Sequence, residues 1–220
     1  MSMSSTTTDM KNVLFNNATN ILNSMSFYSP IIISVSIIVF SMFIGVIDKA
    51  LVFFVWIFII TFLRIIVFRG LQIGDRDIPQ ICLTGLTEIF IPKDITYSTY
   101  ILSFTMMYFL MPMIMISKQK NINAINYGVL AFFIAYIVLD LFIKKSLLCI
   151  PSFVSSFVIG DVLAGLFLGA LVSGIVMYGS AMKKYLYINE INGNNEVCSL
   201  PSKQQYKCRV FKDGELVGNL

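Results

Sequence analysis

The chain contains no histidine. That absence excludes histidine-based acid–base and nucleophilic catalysis and most zinc chemistry. Charge is scarce too: 13% of residues are Asp, Glu, Lys or Arg, against about 25% in a typical soluble domain. With 57% hydrophobic residues and a mean hydropathy of +0.81, this scarcity implies a membrane protein before any segment is inspected. The bases form no block and the net charge is only +4, which argues against a nucleic-acid partner. Four cysteines, at 82, 149, 198 and 208, are too few and too dispersed for a disulfide framework. Cys198 and Cys208, the only close pair, leave open either a bridge or two free thiols. Without histidine they lack metal-site spacing, and no cofactor is expected.

What is present is long apolar sequence. Spans are expected at about 28–46, 51–68, 95–116, 127–143 and 155–182, each long enough to cross the hydrocarbon of a bilayer. Before them, Met10, Val13, Leu14, Ala18, Ile21, Leu22 and Met25 recur at helical spacing, which predicts an interfacial helix over 9–25. Pro112 is expected to kink the last turn of the third span, and Asp94 or Thr96 to cap its start. The connection over 69–94 is the longest and most charged between spans. After the bundle, 205–211 alternates apolar and polar residues and meets Asp213-Gly214, which predicts a small C-terminal β-hairpin with 215–217 as the returning strand. The chain thus divides into 1–27 (a disordered start and the interfacial helix), 28–184 (the transmembrane bundle) and 185–220 (a soluble tail). The fold class is an all-α membrane protein of about five transmembrane helices. Counting Lys and Arg alone places the tail on the cytoplasmic side by a narrow margin.

One carboxylate, Asp161, lies inside the last span. A charge at the centre of a bilayer helix costs roughly 2.5–3.5 kcal/mol on insertion scales, so it faces protein or water. It marks either a ligand or proton site, or a carboxylate near the helix start that is held by the helix dipole and by a neighbouring backbone group or Arg; the second is the better-weighted reading. Gly165-x-x-x-Gly169 follows, small enough to let a second helix approach backbone to backbone. Arg64, near the end of the second span, either snorkels to the interface or points inward. Asp140 and Lys144 have the i, i+4 spacing of a helix-end ion pair.

The order of these features resembles the membrane-bound type 2 phosphatidic acid phosphatase superfamily. That family carries Lys, six residues and Arg-Pro after a helix, then Pro-Ser-Gly-His opening the next helix. A later Ser-Arg is followed by five residues, a His, three residues and an Asp. Here Arg69, six residues and Arg76 stand in the first motif, with Asp77 in place of Pro. Pro92-Lys93-Asp94-Ile95-Thr96 stands in the second, and Asp161-Val162-Leu163-Ala164-Gly165 matches a run common at the end of the third. The resemblance covers about 50–180. It implies a phosphatase-like helix bundle, with Arg69, Arg76 and Asp161 as remnants of a site for a phosphate or lipid headgroup. It also implies inactivity: the histidine positions are Ile95 and Phe157, and the third-motif Arg position is Pro151. Neither Ile nor Phe attacks phosphorus or moves a proton.

The expected function is that of a non-enzymatic multi-pass membrane protein with an inactive phosphatase-like scaffold and a structural or partner-anchoring role. Its partners are membrane lipids and, through 197–220, a soluble or capsid-type protein. Composition and tail loosely resemble membrane proteins of large DNA viruses, which points to a virion inner membrane or host endomembrane. Two other readings are a lipid-phosphate binder or phosphatase-like protein using Arg69 and Arg76, and a small transporter with Asp161 as its intramembrane carboxylate.

Overall fold

In hydrocarbon a backbone must satisfy its own hydrogen bonds, so long apolar runs become helices. The computed structural model describes residues 20–70, 82, 94–120, 124–150, 152, 155–179, 182–188, 209–212 and 215–219. Helix α1 (Asn20–Phe27) meets α2 (Ser29–Ile44) at 76°. Then come α3 (Ile47–Gly70), α4 (Tyr97–Lys120), α5 (Tyr127–Ser146), α6 (Ser156–Tyr178) and a 3-10 turn at Lys183–Tyr185. Among the described residues four helices, α3 to α6, are long and apolar enough to cross a membrane, or five if α1 and α2 count as one bent span. At 1.5 Å per residue the 16 residues of α2 extend about 24 Å, short of the roughly 30 Å of a bilayer core. The interfacial helix expected over 9–25 lies mostly outside the described residues; the part that is described, α1, turns sharply away from α2.

Local chemistry sets the element ends. Pro30 stands in the first turn of α2, where a missing N–H is harmless. Gly45 closes α2 at φ 78°, and the Val46 N–H reaches back to the Ser41 carbonyl at 2.9 Å. This glycine-terminated cap turns the chain straight into α3. The Asn126 side chain accepts from the Gly128 and Val129 amides at 3.0 and 3.2 Å and starts α5. Pro112, expected in the last turn of the third span, lies inside α4, which continues to Lys120. One missing amide is tolerated inside a membrane helix, whose neighbours hold its path.

Helix α4 is the axis of the bundle. It is the least apolar of the four long helices, yet 72% of its span is buried, whereas α3 is the most apolar and only 17% buried. The helix facing lipid must be apolar all round, and the central one can carry hydroxyls. Helix α6 lies closest to it, and two glycines allow that approach. A Cβ on Gly165 would lie 2.5 Å from the Tyr100 carbonyl oxygen, and one on Gly169 would collide with that of Phe104. Gly160 and Gly174, by contrast, meet nothing within 4 Å. Around α4 the aromatic core stacks Phe53 on Phe109 and Phe104 on Tyr108, with centroids 5.8 and 5.9 Å apart.

Two faces result. The loop face holds the α1–α2 elbow, the end of α3, the start of α4, the end of α5 and the start of α6. The tail face holds the α2–α3 turn and the end of α6. There the chain folds back: Leu186 and Tyr187 are buried, and Tyr187 shares a 2.6 Å hydrogen bond with Ser41. The bundle's packing therefore extends to Ile188, past the expected tail boundary at 184. Farther on, β1 (Arg209–Lys212) pairs antiparallel with β2 (Glu215–Asn219), with an irregular register between Val210 and Phe211.

Candidate functional site

Among the described residues, the buried charged side chains (Asp94, Asp140, Lys144 and Asp161) gather at the start of α4. The run from Asp94 to Tyr100 places a carboxylate and the aliphatic hydroxyls of Thr96, Ser98 and Thr99 around the helix's first turn, and other segments bring charges to it. Two ion clusters form there, on different sides of the same turn.

The first is built on Arg64 of α3. Its Nε donates to Asp94 Oδ2 at 3.0 Å and its Nη2 to Asp94 Oδ1 at 3.2 Å. Nη2 also donates to Asp161 Oδ2 at 2.9 Å, and Nη1 donates to Asp161 Oδ1. Thr96 donates to Asp94 Oδ1 at 3.2 Å. The guanidinium is thus forked into two carboxylates, the geometry that matches its planar donors best. The Tyr100 and Phe68 rings lie over it, with centroids 5.2 and 5.7 Å from Cζ. The Asp94 side chain is fully buried, and those of Arg64 and Asp161 are 11% and 10% exposed. Two carboxylates against one guanidinium give the cluster a formal charge of −1. The carboxylate of Asp94, a candidate cap for α4, is committed to Arg64 instead. The Tyr97 amide faces the Asp94 backbone carbonyl, at 3.5 Å.

The second cluster is built on α5. Lys144 Nζ lies 2.7 Å from Asp140 Oδ2, and both side chains are fully buried. Lys144 also donates to Thr99 at 3.1 Å and to Ser98. Asp140 accepts from Ser26 of α1 at 2.5 Å, Thr99 at 2.6 Å and Ser98 at 3.1 Å. The helix-end pair read from the i, i+4 spacing is therefore an interior network tying α1, α4 and α5 together. Nearby, Tyr136 donates to the Met25 carbonyl at 2.9 Å, a further tie from α5 to α1.

Above α4's first turn, Phe27, Ile95 and Leu147 pack around a disulfide between Cys82 and Cys149, whose Cα atoms are 5.7 Å apart. This corrects the expectation drawn from the cysteine spacing. The two residues are 67 apart in sequence, but the α3–α4 and α5–α6 connections share one face, so their distance along the chain says nothing of their distance in space. Cys198 and Cys208 lie outside the described residues.

The expected site residues do not gather into one pocket. Asp161 is buried and held by Arg64. Arg69 is exposed at the end of α3 and pairs with no described residue, and Arg76 lies outside the described residues. Of the two histidine-equivalent positions, Ile95 packs beneath the disulfide and Phe157 is exposed at the start of α6. Sequence reasoning missed the Ser98–Thr99 pair, and it named Asp94 as a candidate cap for α4, not as a partner of Arg64. One signal pointed to them: a span that opens with Thr96, Ser98 and Thr99 is too polar for lipid. Among the described residues no group of three or more Cys, Asp or Glu side chains is placed to hold a metal ion. Comparison of the chain with family models, curated proteins and solved structures gives no match.

Proposed function

We propose that the chain is a non-enzymatic, multi-pass membrane scaffold, with a helix arrangement of the phosphatidic acid phosphatase kind and no catalytic centre. The observation that supports this most is the occupancy of Arg64. Both faces of its fork are filled by Asp94 and Asp161, so the guanidinium nearest the family-like Asp-Val-Leu-Ala-Gly run ties helices rather than waiting for a phosphate. Asp161 has an internal partner for the same reason, which counts against a transport carboxylate. The role left is structural: a rigid, internally charge-paired bundle that presents 197–220 to a soluble or capsid-type protein, in a virion inner membrane or host endomembrane, with the tail on the cytoplasmic side.

A second reading has one observation in its favour. Arg69 is exposed at the end of a membrane helix, the depth at which lipid phosphates lie. In this reading Arg69, together with Arg76, contacts a lipid headgroup.

The test is made with the full chain in lipid nanodiscs containing phosphatidic acid. The expected result is no phosphate release above a protein-free control, and unchanged phosphatidic acid retention in Arg69→Ala and Arg76→Ala. Phosphate release would refute the non-enzymatic reading; loss of retention in either variant would favour the headgroup binder.

A further inference from the structure

The Cys82–Cys149 bond carries information about compartment. Both half-cystines are buried, and Phe27, Ile95 and Leu147 pack around them, so the bond is shielded from exchange with soluble thiols. Disulfides of this shielded kind are made and kept in oxidising compartments and are rare where glutathione and thioredoxin keep thiols reduced. The bond lies on the loop face, because it joins the connection after α3 to the connection after α5. The chain leaves α6 on the opposite, tail face whether it has four spans or five, and Cys198 and Cys208 come after α6 in sequence.

We propose that this disulfide fixes the orientation of the protein. The loop face lies in an oxidising, lumen-type compartment, and the tail face lies in the reducing cytosol with Cys198 and Cys208 as free thiols. The proposal rests on the multi-pass reading and deepens it, since the basic residues settle little. Arg64 and Lys144 are both taken up by buried carboxylates. Of the other Lys and Arg between 28 and 184, those next to the tail-face turns in sequence (Lys49, Lys118, Lys120, Lys183 and Lys184) only narrowly outnumber those next to the loop-face connections (Arg69, Arg76, Lys93 and Lys145). The narrow excess favours a cytosolic tail under the positive-inside rule, and the disulfide points the same way.

The bond forms by exchange with a dithiol–disulfide oxidoreductase of the lumen. The Cys82 or Cys149 thiolate attacks the enzyme's disulfide, and the second cysteine thiolate then displaces the enzyme from the mixed disulfide. The two electrons leave in the enzyme's dithiol, which also takes up the two thiol protons.

The experiment uses the full chain inserted into sealed microsomes and a membrane-impermeant maleimide–polyethylene glycol, read as a mobility shift. The expected result is modification of two cysteines in sealed, unreduced vesicles and no further change on permeabilisation. Two more should react only after reduction under denaturing conditions. Cys198→Ser and Cys208→Ser should each remove one early modification, and Cys82→Ser should let Cys149 react in denatured protein without reductant. Protection of the tail thiols until the vesicles are opened would reverse the orientation. Reaction of all four cysteines in denatured, unreduced protein would remove the disulfide. Either result overturns the proposal while leaving a carbonate-resistant membrane protein. Release of the chain from the vesicles by alkaline carbonate would instead sink the multi-pass reading beneath it.

Discussion

The two ion clusters flanking the start of α4 solve the same problem in opposite ways. Asp140 and Lys144 belong to one helix, carry no formal net charge between them and are completely buried, with hydroxyls from α1 and α4 filling their remaining positions. Arg64, Asp94 and Asp161 come from three distant segments, carry one excess negative charge and keep about a tenth of the Arg64 and Asp161 side chains exposed. The first cluster is a local pair to which other helices attach. The second exists only when α3, the start of α4 and α6 are all in place. Burying a charge is tolerable when its partner is fixed by the same helix turn; a cluster assembled from far along the chain depends on the fold around it and helps to hold it.

The comparison breaks most visibly at Arg64. Arg64→Ala leaves two carboxylates facing each other with no cation, and a destabilisation of about 3–5 kcal/mol is expected, as for the loss of one partner of a buried pair. Thermal unfolding of the detergent-purified protein would measure it. Adding Asp94→Asn and Asp161→Asn to that variant should recover part of the loss, because the repulsion is then gone. A triple variant no more stable than Arg64→Ala would show that the guanidinium acts through packing alone.

Spacing between α4 and α6 tests the same cluster from another side. A methyl on Gly165 runs into the Tyr100 carbonyl, a backbone atom that cannot swing away. Gly165→Ala should cost about 2–3 kcal/mol by overpacking and should move Asp161 away from Arg64. Gly160→Ala, on the same helix with nothing within 4 Å, is the control and should be neutral within error. Equal stability of the two variants would mean that the helices are not in backbone contact.

The smallest effect is expected at Ser26. Ser26→Ala removes one hydroxyl donor but leaves Asp140 its lysine and the hydroxyls of Ser98 and Thr99. A loss of about 1–2 kcal/mol is expected, in the range of one buried hydrogen bond to a charged group. A loss as large as that of Arg64→Ala would erase the distinction between the two clusters.

Much of this was legible along the chain. The apolar runs located the long helices to within a few residues, the cost of Asp161 in hydrocarbon demanded a partner, and the glycine spacing announced a close helix contact. The identity of the partner was not legible. Arg64 had two open readings, snorkelling out or pointing in, and nothing near it in sequence favours one. Asp94 looked like a cap because cap chemistry is local, and it became an ion-pair partner because α3 brings a stronger donor. The cysteines were misjudged for the same reason, since closeness in sequence was taken for closeness in space.

What the sequence determined by itself is whatever sums over neighbouring residues. Transfer of consecutive apolar side chains into hydrocarbon makes the spans, an αL glycine ends α2, and the i, i+4 step pairs Asp140 with Lys144. Only the tertiary structure decided that Asp161 answers to Arg64 and Asp94, and that Cys82 meets Cys149. Those contacts join residues far apart along the chain, and their energies depend on which helices lie side by side. In lipid the hydrophobic effect does not choose those neighbours; two backbone-close glycines and a handful of charges do.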